Sequence, residues 1–161
     1  MPELANTVTT EFAAFFENIG AKAHKWVDPL SDEQLWRNPY SYGNSVGHLL
    51  LHLTGNLSYY IGAQIGATGY VRNRDREFTE ADRPSKEEVL RNFDRAIQLV
   101  VDTIRKQSAE NWSAAYSAER STAKTRFGII LTCAAHADHH IGQIIYLSRE
   151  LSANAARKAT R

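Results

Sequence analysis

Two segments of helical period each carry a pair of histidines four residues apart, and no other feature restricts the fold of this chain as tightly. In 124–150, KTRFGIILTCAAHADHHIGQIIYLSRE, three of the six histidines fall within five residues. His136 and His140 stand one turn apart on one helical face. At about 100° per residue that face also collects Ile129, Cys133, Gln143 and Leu147, and most of it is apolar. His139 points partly aside, and Asp138 points roughly to the opposite face. In 44–66, NSVGHLLLHLTGNLSYYIGAQIG, the spacing recurs at His48 and His52. Here Ser45, Asn56, Tyr59 and Ala63 share the face as a polar ribbon, flanked by Leu49, Leu50, Leu51, Leu53, Leu57 and Ile61. Imidazoles in apolar surroundings need partners for their ring nitrogens, and a transition metal satisfies several at once. If the ribbons face each other, three or four imidazoles converge on one point. Chance rarely sorts four of six histidines into two such pairs, so a metal site explains them better than hydrogen-bonded core histidines do.

The rest of the chain supplies a scaffold. From Pro2 to Val27, apolar residues at Phe12, Phe15, Phe16, Ile19, Ala23 and Trp26 predict a first helix. His24 near its end reads as a surface residue weakly favoured by the helix dipole. Pro29, Pro39 and Gly43 break the next stretch, where Leu30, Leu35 and Trp36 plug one end of the molecule through a helical turn at Asp32–Trp36. Asn44 or Ser45 caps the second helix. Pro84, Ser85 and Glu88 predict the start of a third helix with Leu90, Phe93, Ile97, Val100, Val101 and Ile104 inward. It holds no histidine and reads as support. Residues 107–123 form a polar connector in which Trp112 and Tyr116 dock on the helices. The fold class is therefore all-α, a four-helix bundle with two long connectors, in a single domain over 1–150. Residues 151–161 read as a basic, disordered tail.

The connector 67–84 is longer than most helix–helix connections. Arg72, Arg74 and Arg76 alternate with Asn73, Asp75 and Glu77, so the signs largely cancel. It reads either as a solvated loop with local ion pairs or as a segment from which an arginine, Arg74 or Arg76, reaches over the metal to hold a substrate carboxylate.

With a net charge of +1, nothing argues for nucleic acid or an anionic membrane as partner. No apolar run is long enough to span a bilayer, and MPELANTVTTEF lacks the pattern of a signal peptide. A single cysteine, Cys133, excludes an internal disulfide and fits a reducing cytoplasm. On a core helix that thiol reads as packing rather than as a nucleophile.

The stretches NSVGHLLLHLTGNLSYYI, RNRDREF and HADHHIGQIIYL together resemble the DinB/YfiT-like superfamily, and more narrowly its DUF1572 branch, over roughly residues 5–150. The resemblance implies up-down-down-up helix connections and a divalent metal held by His52, His136 and His140. It also implies a homodimer, and a second apolar face on the last helix, through Ile130, Ala134, Ile141 and Ile145, is a surface that a partner would cover. Relatives with known activities include transferases that join a low-molecular-weight thiol to a small electrophile, and a thiol-dependent isomerase. His48 departs from the family pattern, as a group behind the ligands or as a fourth ligand that would close the site.

Zinc or nickel suits imidazole ligands, with ferrous iron admissible. Neither histidine pair has an acidic residue on its own inward face, so the Glu-x-x-His elements of a di-iron carboxylate site are missing. There is no His-Glu-x-x-His either. The absence of a carboxylate base favours a thiol nucleophile over hydrolysis by activated water. Gln143, Asn56 and Tyr59 are the candidates to orient ligands or substrate; no residue is assigned as catalytic. The competing reading is a non-catalytic, metal-stabilised binding or stress-response module, closed by His48 and without a substrate-sized cavity.

Overall fold

Apolar residues at three- and four-residue steps make Pro2–Val27 one unbroken helix, α1, which fully buries Phe16, Ile19, Ala23 and Val27. In the computed structural model, which describes residues 2–159, the other elements are α2 (Asp32–Trp36), α3 (Val46–Leu57), a π-helical segment (Ser58–Ala63), α4 (Arg76–Thr79), α5 (Lys86–Arg105), α6 (Ala109–Ser113) and α7 (Arg126–Ala159). Among the described residues the only extended pairing is an isolated bridge between Ala115 and Thr125.

Local chemistry sets these boundaries. Ser31 and Gln34 form a reciprocal capping box at the start of α2, with Ser31 N donating to Gln34 Oε1 at 2.8 Å and Gln34 N to Ser31 Oγ at 3.2 Å. Trp36 then lies against Gly47, where an added Cβ would stand 2.7 Å from the ring, and its Nε1 donates to the Pro84 carbonyl at 3.0 Å. Ser45 caps α3, and Ser85 caps α5 through the Glu88 N–H at 3.2 Å.

The second helix is not uniform. After Leu57 it widens into the π segment, whose looser turn leaves backbone groups in need of outside partners. The Tyr60 carbonyl finds one in the buried Tyr116 hydroxyl at 3.0 Å. Trp112 is likewise buried, with Nε1 donating to Thr9 Oγ1 at 3.0 Å, so the 107–123 connector is docked at two points.

α1 packs on α5 and α7, and α3 packs on the same two helices. The pairs Glu17–Arg105 and His24–Asp94 set α1 antiparallel to α5. The pairs Phe12–Phe127 and Lys22–Asp138 set it parallel to α7. The core lies along the axis of this ring, from Leu35 and Val46 at one end to Ile104 and Ile129 at the other.

Two expectations change. Residues 151–159, read as a disordered tail, continue α7: Leu151 is buried and its carbonyl accepts from Gln34 Nε2 at 3.3 Å. Thr160 and Arg161, the end of that tail, lie outside the described residues. Ile130, Ala134 and Ile141, read as a face for a partner, are core residues, because α7 is covered by both α1 and α3. The large apolar residues it leaves outward are Phe127, Leu131 and Tyr146. No described helix is long and apolar enough to cross a membrane.

His24 is partly exposed at the surface, as expected, and is an ion-pair hub between Asp28 and Asp94. Burial works against its charge, but the hydrogen bonds and charges of Asp94 and Asp28 outweigh it and raise the ring above the ordinary value of 6.5. Its stabilisation is therefore complete below that value and fades as pH rises through the raised native value. Because the ring is partly exposed, the term should be small, ~0.2–1 kcal/mol. Urea melts of His24→Gln should lose this decline in stability above neutral pH. Tyr116→Phe, which strips the π segment of its outside donor, should cost about 1 kcal/mol in the same melts.

Candidate metal centre

Because α3 packs against α7, the faces that carry the histidine pairs meet, and three of the four imidazoles converge. His52 Nε2 lies 2.9 Å from His136 Nε2. The ring centroids are 5.0 Å apart for His52–His136 and for His52–His140, and 4.4 Å apart for His136–His140. One ligand atom from each of the three falls within 4.8 Å of the others. His52 is buried, and the two α7 rings are half-buried.

Protons decide what such a cluster can hold. The Nδ1 of His52 faces Glu77 Oε2 at 2.8 Å, and the Nδ1 of His140 faces Gln143 Oε1 at 2.7 Å. Both oxygens only accept, so both Nδ1 atoms carry the hydrogen and both Nε2 atoms present lone pairs. A hydrogen on His136 Nε2 can answer one of those lone pairs and leaves the other without a donor. A cation answers all three. Burial foremost, with the neighbouring rings and Arg72 adding, lowers His136 to about 4. Burial also lowers His140, against the Gln143 hydrogen bond. Neutral rings are the form that ligates a metal.

A carboxylate stands directly behind His52, and it comes from the long connector. The turn of α4 buries Glu77, whose Oε1 accepts from Arg72 Nε at 2.6 Å and whose Oε2 accepts from Arg72 Nη2 at 2.8 Å. Burial alone would raise its carboxyl, but the bonds from Arg72 and His52 prevail and hold it below the ordinary carboxylate range. Gly55 makes the room: a Cβ there would collide with Glu77 Oε1. Phe78 covers the His52 ring, with centroids 4.8 Å apart. The rule that an inward acid must share a helix face with the histidines misses this group. Its one sign in the sequence is a glycine inside a leucine-rich helix, three residues beyond His52, where another part of the chain can approach.

The other candidate residues are dispersed. His48 does not join the three rings: its Nδ1 is 2.8 Å from Ser45 Oγ, and its ring stands edge-on to Trp36. Asn56 is buried one turn beyond His52, and its Oδ1 has no hydrogen-bond partner. Tyr59 and Arg74 line a surface cavity of about 640 Å³ together with Tyr60, Tyr70 and Arg72. Arg74 lies over the Phe78 ring and Arg76 pairs with Glu80 and Asp82, so the arginine that reaches the histidines is Arg72, 3.4 Å from His52 Nδ1. The sequence singled out Arg74 or Arg76 for that reach; the turn of α4 instead brings Arg72 to Glu77 and His52. Cys133 is buried, and burial pushes its thiol up to about 12, which suits packing and not nucleophilic attack.

A family model described as a protein of unknown function, DUF1572, matches residues 3–160. Among solved structures the chain is similar to a DinB-like protein from Bacillus cereus ATCC 10987, at 15% identity and a TM-score of 0.68. The match covers 88% of this chain and 91% of that one, and the likeness is one of fold. No curated protein matches the chain.

Elemental analysis of untagged protein should find about one transition metal per chain. His52→Ala and His136→Ala should lose it, whereas His48→Ala should retain it; equal loss in His48→Ala would make that residue a ligand.

Proposed function

The chain belongs to the DUF1572 family, and from its three converging imidazoles we propose that it is a divalent-metal-dependent enzyme, a transferase that joins a low-molecular-weight thiol to a small electrophile. The observation that carries this reading is the donor set. His52 Nε2 stands beside His136 Nε2 with its Nδ1 held by Glu77, and Gln143 engages Nδ1 of His140. One ligand atom from each of the three rings lies within 4.8 Å of the others, and His48 is engaged elsewhere. A site with three protein ligands keeps positions open, as catalytic sites do and structural ones do not. Zinc or nickel suits three imidazoles, with ferrous iron admissible. When bound, such an ion lowers the pKa of a thiol or water that it coordinates.

The chain's own groups favour the thiol. The carboxylate at the centre is Glu77, and both of its oxygens are committed to Arg72 and His52. It is therefore not free to take a proton from attacking water, whereas a thiolate attacks without a further base. Asn56 Oδ1, buried one turn beyond His52 without a hydrogen-bond partner, is the acceptor we assign to a substrate N–H or O–H that reaches the centre. The cavity lined by Tyr59, Arg72 and Arg74 has room for a small molecule; none of the three histidines lines it, and it meets the centre through Arg72, which we take as the side from which a substrate approaches.

The same reading extends to the assembly. We take the helix ring as an up-down-down-up bundle, supported by the antiparallel α1–α5 and parallel α1–α7 pairings. We place a second copy against the outward Leu131 and Tyr146 of α7, giving a homodimer, and we place the protein in the cytoplasm, where Cys133 stays reduced.

Metal-loaded protein should accelerate attack of a low-molecular-weight thiol on a chromogenic aryl halide, and His136→Ala should lose the acceleration. Turnover of ester substrates without any thiol, and none with one, would favour the hydrolase instead.

A further inference from the structure

We propose that Glu77 is the positioning residue of this centre: it fixes the His52 tautomer that turns Nε2 toward the ion, and so couples the seating of residues 71–78 to metal binding. The inference rests on the metal reading above and adds to it a part that the ligands alone do not supply.

A carboxylate cannot donate, so its bond to Nδ1 selects one of the two neutral forms of His52 and fixes the ring's rotation. Three further contacts serve the same bond. Arg72 grips both Glu77 oxygens and fixes the plane of the carboxylate. Gly55 lets the carboxylate come close to α3. Phe78 lies on the His52 ring, so the turn of α4 holds that imidazole on a face as well as at a nitrogen.

The converse matters equally. Within 71–78 only Arg72, Glu77 and Phe78 turn inward, while Val71, Asn73, Arg74, Asp75 and Arg76 are exposed. The segment is thus seated largely through His52 and the groups around it. An ion on Nε2 makes Nδ1–H a stronger donor to Glu77. By linkage, whatever factor a seated Glu77 adds to metal affinity, the metal adds to the seating of the segment. Arg74 and Arg76, exposed in that segment, are trypsin sites that report on it.

The test uses Co²⁺ as probe on the full chain, with affinity from chelator competition, the visible absorption spectrum, and trypsin digestion with and without the ion. Glu77→Gln, whose amide oxygen is a weaker acceptor and leaves Arg72 without a counter-charge, should bind Co²⁺ about 10–100-fold more weakly and with an altered spectrum. Gly55→Ala keeps both charged groups but pushes the carboxylate off its seat, and should move both readouts in the same direction. Cooperative melting of the ion-free variants separates these effects from loss of fold. In wild type, which needs no substitution, Co²⁺ should slow cleavage after Arg74 and Arg76. Variants that bind within twofold of wild type with the same spectrum would overturn the proposal, as would a wild-type digestion that ignores the ion. If wild type itself binds no Co²⁺, the metal reading falls and this falls with it; binding by wild type with indifferent variants overturns only the role of Glu77.

Discussion

A buried imidazole has two nitrogens to satisfy, and His52 satisfies them in opposite directions. Nδ1 points back to a carboxylate from the long connector, and Nε2 points across to α7. Leaving either polar group without a partner in a leucine-rich interior would cost a few kcal/mol. Much of the local architecture follows from avoiding that cost. Gly55 gives up its side chain to admit Glu77, Arg72 is drawn down to 10% side-chain exposure to offset the carboxylate, and α3 must face α7 at the level of His136 and His140. Strip out the ring of His52 and five other residues, Gly55, Arg72, Glu77, His136 and His140, lose a reason for where they stand.

This arrangement also separates two tasks that one acidic group often combines. A carboxylate beside a metal can orient a ligand or it can move protons. Glu77, clamped by a guanidinium and an imidazole, is committed to the first. Proton traffic at the centre would have to use the ligand's own acidity. On the proposed thiol-transfer reading the nucleophile ionises on binding, and Asn56 keeps a buried carbonyl oxygen without a hydrogen-bond partner one turn beyond His52.

Much of this was legible in the residues themselves. Apolar spacing marked α1, a capping box with apolar spacing marked α5, breakers on either side of Leu35 and Trp36 marked α2, and the two histidine pairs marked where α3 and α7 meet. What escaped was set by contacts between distant parts of the chain. Glu77 looked like one more charge in a self-cancelling run, since nothing local shows that a four-residue turn will bury it. His48 repeats the spacing of a ligand, yet Ser45 and Trp36 claim it first. Ile130 and Ile141 formed a stripe that suited a partner subunit, because periodicity reveals an apolar face but not which neighbour covers it. The end of α7 looked too small and basic to hold a shape, until Leu151 found Gln34.

The π segment has a bearing on the centre that distance along the chain conceals. Gly62, inside it, abuts Leu99 of α5, so the downstream end of this helix is referenced to the scaffold, while His52 at the upstream end is referenced to α7. The wide turn between them acts as a phase shifter. Shortening it by one residue to regular α geometry would turn one end against the other by about 100°, and His52 could not face α7 while Gly62 still faced α5. The angular setting of His52 is thus written not at the ring but in how many residues the helix spends between two glycines, Gly55 and Gly62.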